Sequence, residues 1–444
     1  MAIFTGSASA DTLNGTDEAD TIRGAAGNDT INGGGGADII YGNTGLDQIT
    51  GADVGFVLAG SDTVYGGQDD DTVTYAGTSS ASSLLIYGNL GNDTLTGGAG
   101  ADRLFGGQGN DTLNGGGGAD LLYGNLGADL VVGSAGNDTV FGGQDNDTVD
   151  YTTVANNGIL GTGANVIYGN LGNDQLTGGS GNDTVYGGQG NDTITISAGT
   201  DNLFGNLGDD VFVVGASTAS NIDGGAGNDS INVTATATIS GNLTGIESIN
   251  VAAGATVTNL SSTGYIYNLA AGGAGVVSGA GNDSIAGGAG NDTISTGAGS
   301  DIVLAGAGTD SITGGAGVDS LTGGAGNDTF RFAAGDSQIS SVSAPTIDTI
   351  TDFASTADSI GLGVAGGANF ASVTNTNGSD FASAYAAANA AITGGVRYAF
   401  VANAGGVGGG FLFDGTADGT AGLSVTDNAI RLTSGTVVAG DIIV

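Results

Sequence analysis

From residue 97 to residue 132 the chain reads GGAGADRLF, GGQGNDTLN, GGGGADLLY and GNLGADLVV. Polar and apolar positions recur every nine residues: a glycine-rich opening, an aspartate at the sixth place and an apolar side chain at the eighth. The pattern predicts a strand of about three residues with one inward side chain, closed by a tight turn that glycine permits. Such a strand cannot support itself. Stacked on its neighbours it buries Leu95, Leu104, Leu113 and the pair Leu121-Leu122 in a continuous narrow core.

The sixth-place aspartates run at a spacing of nine through Asp11, Asp20, Asp29, Asp38 and Asp47, and again through Asp93, Asp102, Asp111, Asp120, Asp129, Asp138 and Asp147. The spacing recurs through Asp174, Asp183, Asp192, Asp201 and Asp210, and through Asp283, Asp292, Asp301, Asp310, Asp319 and Asp328. Asp62, Asp71 and Asp229 stand off these runs but carry the same motif, which makes 26 units. The block G-G-x-G-x-D-x-U-x is the known signature of a calcium-binding parallel β-helix repeat. Over roughly residues 6–330 the sequence resembles the RTX (repeats-in-toxin, hemolysin-type calcium-binding) family. That resemblance implies an all-β, right-handed parallel β-roll or β-solenoid in which two nonapeptides make one coil. Aspartates 18 apart in sequence would then stack along each edge. It further implies that the 26 aspartates, with nearby turn carbonyls, are the metal ligands.

Composition agrees with that chemistry. The chain has 92 Gly, one Pro, five Arg and no Lys, His, Cys or Trp; of its 45 acidic residues only Glu18 and Glu247 are not Asp, and the formal charge is -40. Without His or Cys there is no zinc site of the Cys/His kind and no Ser-His triad. So few cations exclude nucleic acid as a partner, and no apolar run is long enough to span a bilayer as a helix. A hydrophobic content of 39% argues against disorder, and the single proline against collagen. Carboxylates stacked ~5 Å apart repel strongly, and a divalent cation between them reverses the sign. Hard oxygen donors suit Ca²⁺. Roughly 20 such ions would cancel the formal charge, about one per repeat.

The gaps in the repeat have their own arithmetic. Asp47 to Asp62 is 15 residues and Asp71 to Asp93 is 22, while Asp147 to Asp174 is 27 and Asp229 to Asp283 is 54. The second pair are whole multiples of nine, so residues 231–275 read as solenoid coils that have lost their calcium turns, with a small β insertion as the alternative. The organisation expected is calcium-binding repeats over 1–230, degenerate calcium-poor coils over 231–275, repeats again over 276–330, and a C-terminal cap and secretion region over 331–444. Every other unit closes on an aromatic residue: Tyr41, Tyr65, Tyr87, Phe105, Tyr123, Phe141, Tyr168, Tyr186 and Phe204. They flank the inward residue and so point outward from one sheet. GNLG and GGQ alternate after them, which indicates a duplicated 36-residue unit. Keeping that ladder on one face requires nine residues near 151–165 to bulge out as a loop. The stripe reads either as cross-strand stacking or as a lateral assembly face.

At the start, GSASADTLN (6–14) follows only five residues and no export signal of the cleavable kind. An uncapped coil would invite end-to-end pairing with another copy. At the other end, PTIDTITDFASTADSIGL (345–362) is similar to the segment that often closes RTX repeats; Asp380–Ile392 reads as a short helix, and strands follow at Val396–Val401 and Phe411–Phe413. The resemblance implies an uncleaved C-terminal signal for type I secretion machinery and an extracellular or cell-surface location, where plentiful calcium folds the chain. No catalytic module or nucleophile elbow is present, so an enzyme is not expected. The sequence points to a secreted structural protein that assembles with itself, end to end or sideways, into a filament or surface layer. The alternative is a monomeric calcium-binding adhesin or biofilm-matrix component that contacts cell-surface glycans.

Overall fold

The computed structural model describes residues 1–51, 60–75, 82–133, 135–152, 163–196, 199–215, 221–240, 242–259, 261–333, 336, 347–355, 357–362, 370–374, 384–385, 388–389, 398–402, 410–414, 428–433, 437 and 442–443. It divides into two compact units, residues 1–231 with 241–246, and residues 232–240 with 247–444.

In the first unit, from Thr12 to Ala226, each coil contains one strand of three or four residues and one six-residue strand. Thr94–Thr96 lies between Thr72–Thr74 and Thr112–Asn114, and Arg103–Gln108 between Leu85–Leu90 and Leu121–Leu126, every pairing parallel. Leu95 sits opposite Leu113 and Leu104 opposite Leu122, so one coil is 18 residues, two repeats. Side chains alternate along a strand, and only the eighth-place residue faces in. Leu95, Leu104, Leu113, Leu122, Val131 and Val140 are all fully buried, a core one side chain deep.

Strands on the aromatic side are twice the expected length. After Phe105 the pairing skips Gly106 and resumes with Gly107 opposite Asn125 and Gln108 opposite Leu126. The residue that turns this corner has left-handed φ: Asn89 and Asn125 at 83°, Gly107 at 126°. Glycine adopts that conformation without strain, and asparagine tolerates it; Asn125 Nδ2 also donates back to Tyr123 O at 3.3 Å. The alternation of GNL and GGQ therefore records two residue types that solve one corner.

The aromatic residues form a single outward ladder, as their spacing predicts. From Tyr41 to Phe204 nine rings stack with centroids 4.7–5.1 Å apart and planes within 13° of parallel. Register is held across every lengthened coil. Tyr41 pairs with Tyr65, Tyr65 with Tyr87 and Phe141 with Tyr168, steps of 24, 22 and 27 residues. All the surplus falls between a three-residue strand and the six-residue strand after it, along one edge. Most of the segment expected to bulge, 153–162, lies outside the described residues.

In the second unit Ser248–Val251, Ile266–Leu269, Ser284–Ala286, Ile302–Gly308 and Ser320–Gly326 stack in parallel, and Ala237–Ile239 begins a second parallel series through Thr256–Asn259, Gly275–Val277, Thr293–Ser295 and Ser311–Thr313. Thus 248–277 runs as parallel strands continuous with the aspartate-bearing coils. Asp348–Ile350 and Ser359–Leu362 extend the two series. Tyr398–Ala402, Gly410–Asp414 and Asn428–Leu432 are antiparallel neighbours, joined to Asp348–Ile350 through the last of them. Of the helix read at 380–392, residues 384–385 and 388–389 are helical and the rest lies outside the described residues.

Candidate cation ladders

Each turn places its aspartate where the chain passes from one strand to the next, and successive coils stack these carboxylates. Along one edge of the first unit the backbone N–H of each aspartate donates to Oδ1 of the aspartate one coil on. Asp93 donates to Asp111 at 2.8 Å, Asp111 to Asp129 at 2.7 Å and Asp129 to Asp147 at 2.9 Å. This chain runs unbroken through Asp11, Asp29, Asp47, Asp71, Asp93, Asp111, Asp129, Asp147, Asp174, Asp192, Asp210 and Asp229. The opposite edge carries Asp20, Asp38, Asp62, Asp102, Asp120, Asp138, Asp183 and Asp201, with Leu84 and Asn165 standing where two further aspartates would fall. The second unit has two ladders, Asp283–Asp301–Asp319–Asp348 and Asp292–Asp310–Asp328–Asp358.

Of the 26 aspartates picked out by spacing, 25 are buried, and Asp11 is half-exposed with its Oδ2 held by Ser7. Asp348 and Asp358 fall outside the nine-residue spacing because insertions stretch their steps to 29 and 30 residues. Their local signal, Asp-Thr-Ile and Asp-Ser-Ile, is that of the repeat.

The second carboxylate oxygen is what makes these ladders a site. Oδ2 of Asp29, Asp47, Asp71, Asp93, Asp111, Asp129, Asp147, Asp174, Asp192 and Asp210 is buried and accepts no hydrogen bond from the chain. A buried carboxylate oxygen without a donor costs several kcal/mol unless something positive meets it. Beside it lies the first-place glycine of the same repeat. A Cβ on Gly106 would fall onto Asp111 Oδ2 and come within 2.8 Å of Gly124 O in the next coil; one on Gly124 would meet Asp129 Oδ2 and Gly142 O in the same way. Glycine is required there because the space belongs to a cradle bounded by a carboxylate oxygen and a main-chain carbonyl. Among the described residues no three acidic side chains converge, so carbonyls must complete any coordination shell. Hard oxygens, one or two carboxylates and several carbonyls are a donor set for Ca²⁺ and not for softer metals.

The electrostatics point the same way. Burial, with neighbouring carboxylates adding to it, pushes Asp71 and Asp147 up to about 8 and Asp111 up to about 7. Burial likewise lifts Asp93, Asp129, Asp174 and Asp192 to about 6. Without cations the ladder favours protons; with them it can hold its charge.

No curated protein matches the chain. The pattern of the RTX calcium-binding nonapeptide repeat (4 copies) matches residues 5–40, 14–49, 50–77, 87–122, 123–151, 160–194, 197–218, 212–234, 277–312 and 304–339. Those stretches cover more than half of the chain and carry every aspartate named above except Asp348 and Asp358. By its cradles and by this match, the chain belongs to the RTX calcium-binding nonapeptide repeat family, whose repeats imply Ca²⁺ binding.

Proposed function

We propose that the chain is a secreted, non-enzymatic structural protein that folds on many calcium ions outside the cell and assembles with copies of itself into a filament or surface layer. RTX repeats are typical of secreted extracellular proteins, and the carboxylates of Asp11 to Asp358 are the ligands in this reading, with about one ion per intact cradle. The route out is the type I secretion machinery, addressed by the region after residue 330. The observation that supports assembly is the aromatic ladder. Beside its rings runs an open groove of about 980 Å³, along which Leu90, Leu126 and Leu171 stand 39–41% exposed, one every second coil; Leu207, 53% exposed, lines a further groove beside Tyr168 and Tyr186. A straight apolar comb of that length marks a contact surface. A formal charge of -40 keeps copies apart until cations neutralise it.

Electron microscopy of the purified chain in millimolar calcium is expected to show ordered filaments or sheets that vanish in chelator. The variant L126N/L171N should keep its calcium-dependent circular dichroism and lose the assemblies. Single short rods for the wild-type chain would contradict assembly and favour the second reading, a monomeric adhesin. Gln108 and Gln144 lie on the same groove between the leucines, and their amides could bond glycan hydroxyls.

A further inference from the structure

Among the described residues, three cradles are closed by a buried side-chain donor of the chain itself. Tyr75 and Tyr151 stand at the first place of their half-turns, where Gly97, Gly115, Gly133 and Gly178 stand in neighbouring coils. Each folds back over the preceding coil. A Cβ on Gly133 would strike the Tyr151 ring, and one on Gly51 the Tyr75 ring. The Tyr151 hydroxyl donates to Asp138 Oδ2 at 3.0 Å and the Tyr75 hydroxyl to Asp62 Oδ2 at 3.1 Å, both rings buried. The same two half-turns, 75–84 and 151–165, are lengthened and have Leu84 and Asn165 where aspartate would stand.

Asn165 is a third case. Its Oδ1 accepts the Asp138 N–H at 2.9 Å, as an aspartate would, while its Nδ2 donates to Gly178 O at 2.9 Å. That carbonyl corresponds to Gly115 O, which bounds the Asp102 cradle one side of the same edge. In the second unit Ser278 and Thr296 occupy first places and are buried. Ser278 Oγ donates to Thr296 O at 2.8 Å, and Thr296 Oγ1 to Gly314 O at 2.5 Å, beside Asp283 and Asp301. Both hydroxyl hydrogens go to carbonyls and Oδ2 of Asp283 and Asp301 stays without a donor, so these cradles remain open.

We infer that these three cradles, at Asp62, Asp138 and Asn165, hold no cation, because a hydroxyl or amide hydrogen of the chain itself occupies the cation's place. A donor hydrogen and a metal ion compete for the same lone pairs, and a covalently attached donor needs no ion from solution. The ladder from Asp29 to Asp210, whose Oδ2 atoms meet no donor, then carries ions at every coil. The opposite edge is interrupted where the chain detours, and its pinned coils stay tied together when calcium is scarce.

The inference rests on the calcium reading, and calcium counting separates the two. Bound calcium per chain is measured by equilibrium dialysis and elemental analysis for the wild type, for Y151G, which opens the Asp138 cradle, and for N165D, which restores a carboxylate. Each variant is expected to bind about one ion more than the wild type. A wild-type chain that binds many ions, with both variants binding the same number, would overturn the inference and leave the calcium reading standing. A wild-type chain that binds none would overturn both. Should Y151G or N165D fail to fold in saturating calcium, Y151F decides. It keeps the ring and removes the donor, so it should melt at lower temperature with an unchanged ion count. An unchanged melting temperature would show that the Tyr151 hydroxyl does not do a cation's work.

Discussion

In chelator at pH 7.5 the chain is expected to lose its β circular dichroism, and acidification to about pH 5 is expected to bring much of it back. The sign follows from the raised pKa values. Buried in a metal-free ladder, Asp71 and Asp147 titrate near 8, Asp111, Asp120, Asp183 and Asp319 near 7, and Asp47, Asp93, Asp129, Asp174, Asp192 and Asp210 near 6. In the unfolded chain they titrate near the ordinary ~3.9. Between those values the folded chain holds more protons than the unfolded one, so metal-free stability falls as pH rises. The protonated fold is fully favoured below about pH 4 and is lost as pH climbs through 6 to 8. Calcium needs the deprotonated ladder, so its binding must weaken over the same window as pH falls and must release protons when it occurs. Chelator unfolding curves at pH 5, 6, 7 and 8, on dilute protein because the isoelectric point is near 4.1, check this. Metal-free stability that rises with pH would contradict it.

The second large effect is expected at neighbouring rungs. Asp111 and Asp129 each do two things: Oδ1 takes the N–H of the preceding rung, and Oδ2 faces the cradle without a donor. D111N/D129N keeps the first role and removes the second charge, so it should bind fewer calcium ions while the coils stay in register. D111A/D129A also strands the buried N–H groups of Asp93 and Asp111, each worth about 1–3 kcal/mol. Together with the lost ions this should open several coils. Denaturation in saturating calcium is expected to order the stabilities wild type, Asn pair, Ala pair. Equal ion counts in all three proteins would remove these aspartates from the ligand set.

Most of this architecture is legible in the residues because one nine-residue rule sets turn, ligand and core at once. The eighth-place residues are inside and the nine aromatics stack outside, as period-two alternation requires. What the spacing did not reveal was the difference between the two edges. Reading only the sixth place makes Asp62 and Asp138 equal to Asp111. The first place distinguishes them, since Tyr75 and Tyr151 replace the glycine that leaves a cradle open. Asn165 does not stand out in a pattern of acidic residues, although its Oδ1 holds the rung as a carboxylate does. The doubled strand length was hidden by glycine and asparagine at Gly107 and Asn125, which look like turn residues and are a corner within paired strands.

The central claim is that cations meet the orphaned Oδ2 atoms and thereby fold the chain. Calcium titration of the chelator-treated protein at pH 7.5 tests it most directly, with circular dichroism and bound calcium followed together. The account predicts a cooperative gain of β signal that rises in step with the ion count, to on the order of 20 ions per chain. A full β signal in excess chelator at that pH, with few or no ions bound when calcium is restored, would contradict it.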